Sequence, residues 1–145
     1  MTRCTRRAFV AGLLALSVGG CTEPSDPLTG LWIEIQSSSV SHPARTLDLT
    51  RGRSFDFTIG VPPIFTRISG FFTVKGSSIT FDAIQVESRS GADSPSTIVP
   101  YADAPAFENA TFGFDGGDLV LNYTSYPADG PVPTIMRLKR VLPRG

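Results

Sequence analysis

Alternation with a period of two runs through most of the chain beyond Gly30, and it leaves few folds to choose from. Leu47 and Leu49, Phe55 and Phe57, Phe72 and Val74, Ile79 and Phe81, Phe112 and Phe114, and Leu119 and Leu121 are apolar pairs separated by one residue. Successive side chains of a strand point to opposite faces, so this spacing turns one face toward a core and the other toward water. Eight segments read as strands: 31–36, 46–51, 54–59, 67–74, 78–86, 109–114, 118–124 and 134–141. They are rich in Phe, Ile, Val, Thr and Tyr, which fit a pleated, half-buried surface. No segment carries a convincing helical period. The prediction is an all-β domain, an eight-stranded antiparallel up-and-down barrel, with an open β-sandwich as the alternative.

The connections alternate in length. Arg51-Gly52-Arg53, Lys75-Gly76-Ser77-Ser78 and Asp115-Gly116-Gly117-Asp118 are tight, glycine-containing hairpin turns. Segments 37–45, 60–66, 88–108 and 125–133 are longer connectors between the other strands. In an up-and-down sheet consecutive connections fall at opposite ends. All the tight turns therefore gather at one end, a base, together with both chain termini, and the long loops gather at a mouth. The 88–108 segment exceeds the length at which a loop is usually either functional or disordered. Val61-Pro62-Pro63-Ile64-Phe65 is an apolar loop tip that suits a cavity lip, a contact patch or a core segment that folds back.

The N-terminus is built differently. Arg3, Arg6 and Arg7 precede an apolar run from Ala8 to Val18, and Val18-Gly19-Gly20-Cys21 follows. A charged start, a short apolar stretch and small residues before a cleavage point make an export signal, too short to span a bilayer comfortably. This stretch resembles bacterial lipoprotein signal peptides. The resemblance covers residues 1–21 and implies cleavage before Cys21, a diacylglycerol thioether on its sulfur and acylation of its new amino group. Buried acyl chains contribute about 0.8 kcal/mol per methylene, and two or more hold a protein firmly where one holds it marginally. The competing reading is an ordinary secretory signal with Cys21 as a chance neighbour. Thr5-Arg6-Arg7-Ala8-Phe9-Val10 also resembles a twin-arginine export motif, the alternative being the positive start of a general secretory signal. Thr22 and Glu23 lack the Asp that retains such lipoproteins in the inner membrane, so the resemblance points to the outer membrane in a two-membraned host.

The expected organisation is a cleaved signal over 1–20, a tether over 21–29 and the barrel over 30–145. Loss of Arg3, Arg6 and Arg7 leaves ten basic side chains against thirteen acidic ones, a charge of −3. That balance offers no footprint for nucleic acid and no basic run for anionic lipid, so acylated Cys21 is the expected membrane attachment. Cys4 leaves with the signal, and acylation removes Cys21 from disulfide or metal chemistry. Pro24 and Pro27 favour an extended tether, which would let the domain stand off the bilayer.

Gly30-Leu31-Trp32 opens the first strand. A Gly-x-Trp at that place in an eight-stranded barrel resembles lipocalins, in which the Trp closes the base and a basic residue near the chain's end packs over it. Arg140 is the matching residue, and the implied contact is cation–π. The chain departs from the family in lacking a second lipocalin motif, a C-terminal helix and a disulfide, so the resemblance is to lipocalin-like bacterial domains. A core Trp beside an unrelated strand-end Arg is the competing reading. The first strand is ambiguous in phase, because Trp32 inward brings Glu34 and Gln36 with it, whereas Leu31, Ile33 and Ile35 look like a core face. The expectation is Ile33 and Ile35 inward, with Trp32 capping the base.

Catalytic signals are sparse. His42 is the single histidine and stands beside Pro43 in a polar loop, with no local nucleophile. Zinc needs several His or Cys ligands. Asp115 and Asp118 flank two glycines, a pattern that a type I′ turn explains as well as calcium does. No glycine-rich phosphate loop precedes a helix. The expectation is no enzyme, no metal and no cofactor. Two functions compete: a binding module that takes a small apolar ligand near the mouth against Phe57, Ile59, Phe72, Tyr123, Met136 and Leu138, or an envelope scaffold or protein-interaction module with a filled core.

Overall fold

The computed structural model describes residues 26–36, 43–102, 106–127 and 129–142. The signal region, Cys21 and His42 lie outside them. Nine strands follow in order: β1 Gly30–Glu34, β2 Arg45–Leu49, β3 Ser54–Val61, β4 Ile64–Lys75, β5 Ser78–Ser90, β6 Thr97–Pro100, β7 Glu108–Asp115, β8 Asp118–Ser125 and β9 Val132–Arg140. Among the described residues there is no helix.

Every pairing is antiparallel, and the sheet closes on itself. β1 to β5 pair in sequence, β5 meets β7, β7 to β9 continue in sequence, and β9 returns to β1 with Trp32 opposite Arg140. This is an eight-stranded up-and-down barrel of lipocalin-like form, with closure in place of the open edges of a sandwich. The ninth strand, β6, stands outside the ring and pairs with the outer half of β5, from Gln85 opposite Pro100 to Ser88 opposite Thr97. The tight turns at 50–53, 76–77 and 116–117 lie at the base, and so does the first described residue, Asp26.

Three expectations about the strands change. The 60–66 connector is instead a hairpin, because β3 runs on to Val61 and β4 starts at Ile64, leaving Pro62 and Pro63 as the turn. Gly60 permits it: φ is 95°, and a Cβ there would lie 2.6 Å from the Ile64 carbonyl oxygen. The 88–108 segment is likewise partly strand, since β5 continues to Ser90 and β6 lies within it. Finally, β1 has the opposite phase from the expected one. Trp32 is 1% exposed and faces inward, while Ile33 and Ile35 are each 43% exposed and face out. Strict alternation then sends Glu34 inward, where it meets Arg45 at 3.5 Å. An inward carboxylate is tolerated because a cation stands beside it.

The base is plugged from both termini. The Trp32 indole donates to the Leu28 carbonyl at 2.9 Å, Arg140 lies 4.6 Å from the Trp32 ring centroid, and its guanidinium also donates to the Pro27 carbonyl. Leu28 is buried, its amide is held by Asp26 Oδ1 at 3.1 Å, and Thr29 N donates to Asp26 O at 3.1 Å. Residues 26–29, assigned to the tether from their prolines and polarity, thus form a turn that belongs to the barrel. Above this plug Leu47, Leu49, Phe55, Phe72, Ile79, Leu119, Leu121, Met136 and Leu138 fill the interior.

Candidate functional site at the barrel mouth

An aromatic layer ends the filled core. Phe107 packs edge-on to Phe57 with centroids 4.8 Å apart and to Tyr123 at 4.9 Å, and it also contacts Phe81 at 4.8 Å. Phe107 precedes β7 within what the sequence presents as loop. Its burial depends on a break in alternation: the β7–β8 register shifts between Glu108 and Thr111, and Asn109 has φ 52°. Phe107 and Ala110, three positions apart, are therefore both buried.

Beyond this layer β3, β4, β5 and β6 outgrow the rest of the ring and stand up as one wall. Phe57 opposes Ile68, Ile59 opposes Thr66, and Val61 opposes Ile64. On the same face Val86 opposes Ile68 and Val99, while Ser88 opposes Thr66 and Thr97. The inward register of the barrel thus continues past its core, where Val61 and Ile64 become 65% and 61% exposed. A cavity of about 720 Å³ lies against this wall, bounded also by Pro43, Pro62, Pro63 and Pro95. Arg89 braces its far corner, with Nε donating to the Gly91 and Ser94 carbonyls at 3.0 Å each. Arg67 braces the outer face, bonding Glu87 at 3.2 Å and lying over the Phe65 ring at 5.2 Å.

The opposite side of the mouth is polar. Glu34 from β1 and Arg45 from β2 form their ion pair there, and Arg45 stands opposite Ile59, on the cavity wall. Tyr123 shares this region. Burial raises its phenol above the ordinary value of 10.0, with Arg45 opposing the shift and Glu34 adding to it. Ser125 and Thr134 share a 2.6 Å hydroxyl contact on β8 and β9. The mouth therefore offers a wall in which Ile59, Val61 and Ile64 alternate with the hydroxyls of Thr66, Ser88 and Thr97, facing Ser125, Thr134 and the Glu34–Arg45 pair.

Of the six residues read from sequence as ligand contacts, Ile59 lines this cavity. Phe57 and Tyr123 lie in the aromatic layer beneath it, and Phe72, Met136 and Leu138 are buried deeper in the core. Gly30, Trp32 and Arg140 meet at the base, where a Cβ on Gly30 would lie 3.8 Å from Arg140 Nε. Sequence reasoning missed Arg45 and Phe107. A basic residue at the start of an alternating strand signalled the first; a lone Phe in a Pro- and Ala-rich stretch signalled the second. Among the described residues no group of three or more His, Cys, Asp or Glu side chains converges on a metal position. Asp115 and Asp118 are instead spanned by Arg137 Nη1, at 2.8 and 3.8 Å.

Compared with protein-family models, with curated proteins and with solved structures, the chain matches none. The barrel and its mouth therefore define the class of this protein by geometry alone.

Proposed function

We propose that this chain is a membrane-anchored lipoprotein whose barrel binds a small apolar ligand at its mouth, without catalysing a reaction. The observation that carries the reading is the cavity of about 720 Å³ on the inward face of the extended β3–β6 wall. Its size falls within the range of small-molecule sites, and a mostly apolar lining interrupted by the hydroxyls of Thr66, Ser88, Ser90 and Thr97 suits a fatty acid or another lipid. The anchor is supported by Val18-Gly19-Gly20-Cys21 behind a basic and apolar leader, with export to the outer membrane where the host has two. Replacing Cys21 with Ser should release the protein from membranes; unchanged partitioning rejects the anchor.

Ligand binding is tested by native mass spectrometry of protein extracted gently from its own membrane, followed by titration with a fluorescent fatty-acid analogue. The expectation is a co-purifying apolar molecule displaced by that probe. Ile59→Asn should weaken probe binding by about tenfold, since an amide covered by an apolar ligand without a hydrogen-bond partner costs about 1–3 kcal/mol. A second reading, a scaffold recognised through its loops, is favoured by the packed interior around Phe72, Met136 and Leu138. Protein that carries nothing and takes up no probe sinks the first reading in favour of the second.

A further inference from the structure

The inward phase of Trp32 leaves a surface that the interior does not use. Leu31, Ile33 and Ile35 all project outward from β1, and Val141, whose amide donates to the Leu31 carbonyl at 2.8 Å, extends the row onto the end of β9. Leu142 follows at 74% exposed. At the foot of this row Leu31, Val141 and Leu142 line a groove of about 490 Å³ together with Asp26, Arg51 and Arg140. On the neighbouring row of β9 Lys139 stands opposite Ile33, and the Arg137 carbonyl accepts from Ile35 N at 2.9 Å while its guanidinium is held by Asp115 and Asp118.

We propose that the barrel docks side-on against the bilayer that holds its anchor, through the outer face of β1 and the end of β9. The inference rests on the reading that Cys21 is acylated. Chain length selects the bilayer as the occupant. Asp26 is tied into the base plug, so Cys21 is five Cα steps from a fixed point, a reach of about 17 Å. The apolar row from Leu31 to Ile35 rises about 13 Å from that same corner. A domain so closely held cannot stand far off, and its own surface meets the bilayer at an effective concentration on the order of millimolar. A short aliphatic row is then enough to orient it.

Charge agrees with that occupant. Arg51 and Lys139 fringe the apolar row and can extend their stems along it with their charges among anionic headgroups, while Arg140 stays in the base plug over Trp32. Of the acidic residues here, Asp26 lies near Arg53 at 3.5 Å, and Asp48 stands opposite Leu31. Docked this way, the barrel axis lies along the membrane surface and the mouth opens beside the headgroups, where a lipid-like ligand would be exchanged.

The test uses the full acylated chain, carrying Ile33→Cys for a spin label and reconstituted in vesicles of phosphatidylethanolamine and phosphatidylglycerol. Acylation leaves no other thiol in the mature chain. Thr80→Cys, on the outer face of β5 across the ring, is the reference. The label at 33 is expected to collide several-fold more with oxygen, and less with a water-soluble relaxation agent, than the label at 80. Equal accessibility at the two sites overturns the proposal. So does short-range coupling between labels at 33, which marks a second copy on this face. Thr46→Cys, opposite Ile33 on β2, reads the same surface if a label at 33 disturbs the strand. The intact mass of the same preparation is read first: a chain without acyl mass refutes the anchor, whereas an acylated chain with a solvated Ile33 refutes docking alone.

Discussion

Arg45 illustrates how one side chain sets the character of the mouth. It lies at the boundary between the filled core and the cavity, paired with a Glu34 side chain that is only 9% exposed, while its own is 29% exposed. Removing the cation alone, as in Arg45→Met, leaves a carboxylate largely cut off from water. The expected loss is about 2 kcal/mol, between the values for exposed and fully buried pairs. Adding Glu34→Leu should recover most of it, because two apolar groups replace two charges that both had to be desolvated. Urea unfolding of the single and double variants measures this, and a double variant no more stable than Arg45→Met refutes the account. Tyr123 gives a pH signature. Its phenol is raised in the folded protein, so on alkalinisation the unfolded chain releases this proton first. The stabilisation is complete below the ordinary value of 10.0 and is lost as pH climbs through the folded value. Tyr123→Phe should therefore show a shallower fall in stability above that point, and parallel curves for the two proteins count against a buried phenol.

The β4–β5 ribbon carries the mouth wall, and its shape turns on Gly70. A register shift between Ser69 and Gly70 leaves Ile84 as the extra residue on β5, and Gly70 faces that strand so closely that a Cβ would lie 2.0 Å from the Asp82 carbonyl oxygen. Gly70→Ala must push backbone against backbone, and overpacking of this kind costs about 1–3 kcal/mol or more. Loss of stability together with weaker probe binding at the mouth is the expected result, and a variant with wild-type unfolding refutes the close approach. The ribbon also marks where the sequence stops being legible. The tight turns and the apolar pairs of β2, β3, β7 and β8 were readable because alternation and glycine turns are local signals. Strand β1 was not, because Leu31, Ile33 and Ile35 oppose Trp32 in phase, and alternation alone cannot choose between two apolar faces. Trp32 takes the interior because its indole finds Leu28 and Arg140 at the base, contacts more than a hundred positions apart in the case of Arg140. Strand β6 is four exposed residues ending in Pro100, defined by its partner β5 rather than by any pattern of its own. Arg45 and Phe107 were hidden for a related reason: an ion pair across two strands and a bulge both depend on register, which sequence periodicity does not encode.

Closure of the whole barrel is uneven. The other junctions of the ring carry three or more register pairs, but β5 and β7 meet at a single one, Ser78 opposite Thr111, supported by Phe112 N donating to Ser77 O at 2.8 Å. Beyond that point a cleft of about 440 Å³ separates Ile79–Asp82 from Phe107–Ala110. Side-chain packing, chiefly Phe107 against Phe57, Phe81 and Tyr123, holds this seam where backbone hydrogen bonds do not. The chain between β5 and β7 therefore has two roles that can be separated. Replacing only residues 91–96 with a short turn removes the far corner of the cavity and spares Phe107. That variant should keep its thermal midpoint within a few degrees and lose probe affinity. Replacing the whole 88–108 segment removes Phe107 as well, and losing a buried Phe costs about 3–5 kcal/mol, a large share of the stability of a domain this size. The longer exchange should unfold the barrel or open the seam, read as rapid hydrogen exchange in β7. If both exchanges leave the fold intact, Phe107 is not the closing element; if the short one leaves probe binding unchanged, the ligand does not lie against the β5–β6 corner.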